Sequence, residues 1–138
     1  MINEVKLGVS VGAGDIAHLT IGGDLNSEAK EKIELWMTDV KKVIKDLYDK
    51  KGEQVLCLVD IKELKTYHPD VLLTLAGLMK ENEPYVLRTA TFGGSKSITM
   101  AEDVVIALSG RNNLQAFDTK EQAVNWLRTG IDASTSSN

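Results

Sequence analysis

The sequence of 138 residues contains few cysteines, prolines and aromatic residues: one cysteine, two prolines and 5% aromatic residues. A single thiol cannot form an internal disulfide, which excludes a disulfide scaffold and fits a reducing cytoplasm. The longest apolar runs, around residues 71–79 and 104–108, fall far short of the roughly 20 residues that a membrane span needs. The first residues lack the apolar stretch of a signal peptide. We therefore expect a cytoplasmic protein without a membrane span.

Basic charge and catalytic motifs are also scarce. Sixteen Lys and Arg residues against twenty Asp and Glu residues give a net charge of −4, which argues against a nucleic-acid partner and a polybasic membrane binder. His18, His68 and Cys57 lack the spacing of a metal site, and no hydrolase nucleophile motif is present. The sequence therefore predicts no metal, no cofactor and no enzyme. An enzyme would need an acid–base pair, for which Asp60 and His68 are the candidates.

The first half of the chain shows two strands, a long helix and a third strand. Apolar residues alternate over residues 5–11 and again over 16–21, which predicts an antiparallel hairpin whose second strand ends at Gly22-Gly23. A stripe of apolar residues at three- and four-residue spacing predicts a helix through residues 33–48, capped by Asn26 or Ser27. The apolar run over 54–60 indicates a central strand in which Cys57 is buried.

Strands and helices alternate in the second half. After a loop over 61–68, Pro69 opens a helix whose nearly all-apolar segment 71–79 is predicted to be deeply buried or to cover a partner. Gly77 within that helix suggests a close backbone approach. A strand over 86–92, a helix over 97–109, a strand over 114–117 and a last helix opened by a capping box at Thr119 complete the pattern, which ends in a polar tail.

The resulting order of elements is ββαβαβαβα. It predicts an α/β protein with a single mixed, mostly parallel sheet and helices on both faces. No repeat or linker interrupts the chain, so residues 1–130 are predicted to form one domain and residues 131–138 a disordered tail.

Polar residues collect where the predicted parallel strands end, which is where ligands gather in open α/β sheets. We therefore expect one shared rim, formed by Asp60, His68, Asp70, Ser95 and Lys96. The Gly93-Gly94-Ser95-Lys96-Ser97 turn could bind an anion through a helix N-terminus with charge from Lys96. The alternative is a tight strand-to-helix turn capped by a serine, since no established phosphate-binding spacing is present.

Three segments resemble a known family. They are Leu58-Val59-Asp60-Ile61, the stretch from Lys80 to Tyr85, and the stretch from Ala116 to Leu127. Together with the element order, they resemble the STAS or anti-sigma-factor-antagonist fold, and more closely its sporulation-antagonist-like (SpoIIAA-like) branch. That fold is compared with the lipid-binding CRAL-TRIO domains. The resemblance covers roughly residues 4–128 and concerns structural motifs, so it implies a fold before it implies an activity.

The resemblance implies a non-catalytic regulatory module that docks on a protein partner. The phosphorylatable serine of true antagonists falls at His68-Pro69-Asp70, which has no hydroxyl group, although Thr66 and Tyr67 lie just before it. Asp70 would then mimic a permanent negative charge. The candidate partner- or ligand-binding residues are Asp60, Thr66, Tyr67, His68, Asp70, Ser95 and Lys96.

The lipid-binding comparison implies the alternative function, a carrier or sensor of a small apolar, amphiphilic or anionic ligand. Residues 71–79 would line its pocket, and a cavity between that helix and the sheet would favour this alternative. A homodimer through residues 71–79 and Met100 is also an expectation.

Overall fold

The structure is a computed structural model that describes residues 5–95 and 113–130. Within these ranges the strands are β1 Lys6–Val11, β2 Ala17–Leu25, β3 Val55–Asp60, β4 Leu64–Tyr67, β5 Val86–Phe92 and β6 Leu114–Phe117. The helices are α1 Lys30–Lys51, α2 Pro69–Asn82 and α3 Lys120–Thr129. The predicted helix over 97–109, Met100 and the polar tail over 131–138 lie outside the described residues.

One six-stranded sheet organises the molecule, in the order β1-β2-β3-β5-β6, with β4 pairing to β2. The β1–β2 pair is antiparallel and the remaining pairs are parallel. The prediction of an α/β fold with a mixed, mostly parallel sheet is therefore confirmed. The central strand β3 is paired on both sides, as its apolar run indicates, and Cys57 within it is buried.

Two sequence predictions about strand ends are wrong. The segment 61–68 is not all loop, because it contains β4, and β2 does not end at Gly22-Gly23 but continues to Leu25. A register shift at Gly23/Asp24 lets β2 continue: Gly23 adopts a φ of 85° and its N–H donates to the Glu63 carbonyl oxygen at 2.9 Å. The glycine pair is therefore a bulge inside a strand and not its end.

Helix α1 packs through a single apolar stripe. Its buried side chains are Ile33, Trp36, Val40, Ile44 and Leu47. The preceding 3₁₀ turn is capped by Asn26, whose side-chain oxygen accepts a hydrogen bond from the Glu28 N–H at 3.0 Å. Gly52 ends the helix in the left-handed conformation. Burial of each large apolar side chain contributes about 1.5–3 kcal/mol, so this stripe is a main support of the core.

Helix α2 lies on the same face as α1 and is only half buried. Val71, Ala76 and Leu78 are buried, whereas Leu73 is 57% exposed. The predicted close approach at Gly77 is wrong: the residue is exposed, and a Cβ added there would meet nothing within 4 Å. The nearly all-apolar segment 71–79 is therefore not buried on all sides. Leu73 lies on its outer face, where a surface helix usually has a polar residue.

Helix α3 covers the opposite face of the sheet. Its Ala123, Trp126 and Leu127 pack with Ile16, Leu58, Ala90 and Phe92 in a second apolar cluster. The predicted capping box is confirmed, since Thr119 Oγ1 accepts from the Gln122 N–H at 3.2 Å and Gln122 Oε1 accepts from the Thr119 N–H at 3.3 Å. Helices therefore cover both faces of the sheet, as the element order predicts.

Candidate functional site

An apolar cavity of about 130 Å³ lies between α2 and the sheet. Strand side chains that point to the α1/α2 face form its floor, and α1 closes one side through Trp36, Val40 and Ile44. Helix α2 forms the roof through Leu72, Leu75 and Leu78. A cavity of about 150 Å³ lined by aliphatic and aromatic groups stays dry and takes up benzene, so this one has the size for a small apolar molecule.

The outer side of the cavity is formed by partly exposed residues. Leu64 and Tyr67 of β4 and Leu72 and Leu75 of α2 are half buried and line it. The deeper lining residues Leu25 and Val59 are buried. The cavity therefore runs from the β4–α2 edge toward the core.

Uncharged polar side chains form the polar part of the cavity wall. Asn82, Thr89 and Thr91 line it, and all three are buried. Among residues 5–95 and 113–130, no Lys, Arg, His, Asp or Glu lines the cavity. An ion inside it would lack a compensating charge, so the cavity suits an uncharged occupant.

Sequence reasoning missed Asn82 although the signal was present. Asn82 follows Leu75 and Leu78 at spacings of seven and four, so it continues the inner stripe of α2. An amide on a helix stripe that is otherwise apolar indicates either a structural hydrogen bond or a contact with a ligand. The sequence contains no corresponding signal for the size of the cavity, because the size depends on the distance at which α2 packs over the sheet.

The start of α2 positions four of the predicted site residues. His68 is the N-cap, and its Nδ1 accepts from the Asp70 N–H at 3.1 Å. Thr66 Oγ1 donates to Asp24 Oδ1 at 2.7 Å, so this hydroxyl lies against a carboxylate. Asp70 is exposed in the first turn, and Tyr67 is the member of this group that lines the cavity.

Asp60 lies apart from this group. Thr20 opposes Asp60 on β2, whereas Leu25 opposes Tyr67 five residues farther along the same strand, a separation of roughly 15 Å at the usual rise per residue. The predicted single rim is therefore wrong for Asp60 and His68, because β4 carries His68 beyond the end of β3. The same separation means that Asp60 and His68 do not form the acid–base pair that an enzyme would need.

Asp60 instead binds Lys62. Its Oδ1 accepts from the Lys62 N–H and its Oδ2 pairs with Lys62 Nζ, both at 3.0 Å. Ser95 is exposed at the end of the described segment, and Lys96 lies outside the described residues. The anion-binding interpretation of the 93–97 turn stays a prediction.

A second, smaller and polar cavity of about 80 Å³ lies on the α3 face. It is lined by His18, Thr20, Asp60 and Lys120, together with neighbouring apolar side chains. Burial lowers the pKa of His18, and the nearby Lys120 ammonium lowers it further. Among the described residues, no three His, Cys, Asp or Glu side chains are grouped so that they could hold a metal ion.

No helix in the described part of the chain has the length and apolarity to cross a bilayer. Residues 16–128 match the sequence profile of the SpoIIAA-like family. The structure resembles the crystal structure of an uncharacterized protein from Shewanella loihica PV-4, which belongs to the DUF3478 family and has a SpoIIAA-like fold. The match has a TM-score of 0.60 and 19% identity, and covers 92% of this chain and 96% of that one. No curated protein matches the sequence.

Proposed function

The chain belongs to the SpoIIAA-like family, and we propose that it is a non-catalytic carrier or sensor of a small apolar ligand. The apolar cavity of about 130 Å³ between α2 and the sheet carries this proposal. Protein interiors are normally packed without such voids, because atoms that line a void lose their van der Waals contacts. A ligand that fills the cavity restores these contacts and stabilises the folded state.

The β4–α2 edge supports entry of the ligand. Tyr67 and Leu72 are half buried there, and the cavity is already partly open, so a ligand can enter without a large movement of α2.

We also propose that the protein acts in the cytoplasm. The chain has a single thiol, Cys57, which is 3% exposed and forms no disulfide, as is usual for proteins in a reducing compartment.

Toluene is a suitable probe, since it is close in size to benzene and carries no charge. We expect toluene to raise the melting temperature of the protein in a concentration-dependent way, because a ligand that binds only the folded state stabilises it by mass action. Titration calorimetry on the full chain gives the affinity. No binding and no shift of the melting temperature at saturating toluene would refute the proposal.

Two neighbouring leucines of α2 provide matched variants. Leu72→Phe adds volume to a side chain that lines the cavity, and we expect it to weaken toluene binding about 10-fold or more. Leu73→Phe makes the same change at a residue that is 57% exposed, and we expect the affinity to stay unchanged. Equal effects of the two substitutions would show that toluene binds elsewhere.

A second candidate function is a regulatory module that docks on a protein partner, or on a second copy of the chain, through the outer face of α2. Leu73 and Gly77 favour it, because both are exposed and lie one turn apart on α2, so this face offers a partner uncharged surface. In this function the absence of a hydroxyl at His68-Pro69-Asp70 removes the phosphorylation switch. Phosphorylation of Thr66 would place negative charge beside Asp24, its hydrogen-bond partner.

Light scattering tests the self-association form of this candidate. It predicts a mass of two chains for the native protein and of one chain for Leu73→Asp. A Leu35→Asp variant is the control, because Leu35 is 68% exposed on α1. A native protein with the mass of one chain would exclude the homodimer.

A further inference from the structure

Asn82 has an environment that the fold alone does not explain. It is 6% exposed, it is the last residue of α2, and it lines the apolar cavity. Within residues 5–95 and 113–130, its side-chain amide has no hydrogen-bond partner. Most buried side-chain amides are hydrogen-bonded to protein or to ordered water, because burial without a partner is unfavourable. The location of Asn82 on the cavity wall identifies where a partner can sit.

The side chains around Asn82 limit what that partner can be. Leu78 and Met79 precede it on α2, and Val86 follows it at the start of β5, and all three line the same cavity, so its surroundings are largely apolar. The described part of the cavity wall contains no charged side chain. An ionised group beside Asn82 would be buried without a counter-charge, whereas a neutral donor or acceptor would meet an amide that can both donate and accept.

We propose that Asn82 is the polar anchor of the cavity and that its ligand is a small neutral molecule with an apolar body and one hydroxyl, carbonyl or amide group. This inference rests on the proposed function and specifies the ligand class of the same cavity. The apolar lining holds the body, and the Asn82 amide forms the hydrogen bond that fixes its orientation. The volume of about 130 Å³ limits the ligand to roughly the size of a substituted benzene.

Three substituted benzenes that differ in polarity and charge test the separate parts of this proposal. Phenol carries a neutral hydroxyl group, toluene carries no polar group, and benzoate carries a charge. Calorimetry with the wild-type protein is expected to detect binding of phenol and toluene but not of benzoate. Benzoate binding as tight as phenol binding would overturn the claim that the ligand is neutral.

Asn82→Leu is the informative variant, because leucine has the same branched shape as asparagine and cannot form a hydrogen bond. We expect it to weaken phenol binding about 10-fold more than toluene binding, since the lost hydrogen bond affects phenol alone whereas the larger leucine side chain affects both probes. The phenol-to-toluene affinity ratio should therefore fall about 10-fold. A simple loss of structure would weaken both probes together and leave this ratio unchanged.

The melting temperature of ligand-free Asn82→Leu provides an independent check. If the amide lacks a partner in the folded protein, its replacement by leucine should leave the melting temperature equal to or above that of the wild type. A clear decrease would show that Asn82 bonds within the fold, and would overturn the inference.

The outcomes distinguish the inference from the proposed function. Toluene binding with an unchanged phenol-to-toluene ratio in Asn82→Leu would overturn the role of Asn82 and leave the cavity as an apolar binding site. Failure of both phenol and toluene to bind the wild-type protein would reject the proposed function and the inference together.

Discussion

Trp36 Nε1 donates a hydrogen bond to the Gly8 carbonyl oxygen at 2.9 Å, so α1 is bonded directly to the edge strand β1. The indole ring is 5% exposed and also lines the cavity. One side chain therefore holds the helix on the sheet and bounds the candidate ligand site.

We expect Trp36→Phe to lower the free energy of unfolding by about 1–3 kcal/mol, because it removes this hydrogen bond and leaves space beside the cavity. Urea denaturation measures the change. Trp126→Phe is the control, since Trp126 is 8% exposed in the α3 cluster and its indole nitrogen has no hydrogen-bond partner among the described residues. The Trp36 variant should lose more stability, and equal losses would contradict the role of the hydrogen bond.

Gly77 offers a stabilising substitution. Because it is exposed in α2 and a Cβ there would meet nothing within 4 Å, Gly77→Ala should raise the free energy of unfolding by about 0.5–1 kcal/mol. The gain comes from the reduced conformational freedom of the unfolded chain.

Gly93→Ala is the contrasting control. Gly93 has a φ of 85°, and an added Cβ would approach Lys62 Cβ to 2.6 Å, so this substitution should destabilise the protein by more than about 1 kcal/mol. Thermal denaturation of both variants checks the pair. A destabilised Gly77→Ala variant would show that the outer face of α2 is more crowded than the structure indicates.

His68 is expected to act as a helix cap. His68→Ala removes the acceptor for the Asp70 N–H and should lower the free energy of unfolding by about 0.5–2 kcal/mol. His68→Asn should recover most of this loss, because asparagine is a favoured N-cap residue. Chemical denaturation gives the stabilities. An alanine variant as stable as the wild type would contradict the capping role.

His18 should make stability depend on pH. Burial and, to a smaller extent, the charge of Lys120 lower its pKa below the ordinary 6.5. Just below pH 6.5, His18 is therefore protonated in the unfolded chain and still neutral in the folded chain. Stability from this group is therefore complete above about pH 6.5 and is lost as the pH falls through the lowered pKa. Asp60 and Lys120 line the same small cavity as the His18 ring. Both residues are unchanged in the His18→Gln variant, so their own effects on stability are the same in variant and wild type.

His18→Gln tests this dependence. Between about pH 8 and pH 5, the variant should lose less stability than the wild type, because glutamine does not titrate. Unfolding free energies across this range check the difference. Identical slopes for the two proteins would rule out a contribution from His18.

Much of the fold could be predicted because its signals are local. The apolar run of β3, the stripe of α1 and the capping box at Thr119 each require only neighbouring residues to be read. Strand β4 has no such signal: it is four residues long and has exposed residues at its centre, and it forms because β2 extends past Gly23 to pair with it. That pairing joins segments about 40 residues apart in sequence, so local patterns could not reveal it.

For the candidate site, too, local features could be predicted from the sequence and long-range ones could not. Rim residues could be named from their positions at strand ends, but their grouping depended on β4, which separates Asp60 from His68. The cavity arises from the seating of α2 over the sheet. Of its polar lining, Asn82 alone could have been suspected, from its position on the helix stripe.

The two faces of the sheet carry separate apolar clusters, one beneath α1 and α2 and a smaller one beneath α3. Among the described helices, α3 is the one that covers this second cluster, and we expect a ten-residue helix on a small cluster to open at a lower free energy than the main core. In amide hydrogen exchange, α3 would therefore behave as its own cooperative unit. Since no α3 residue belongs to the described part of the cavity wall, we expect detachment of α3 to leave ligand binding in the cavity unchanged. Local opening of the chain at α3 would then leave a ligand of the proposed kind in its place between α2 and the sheet.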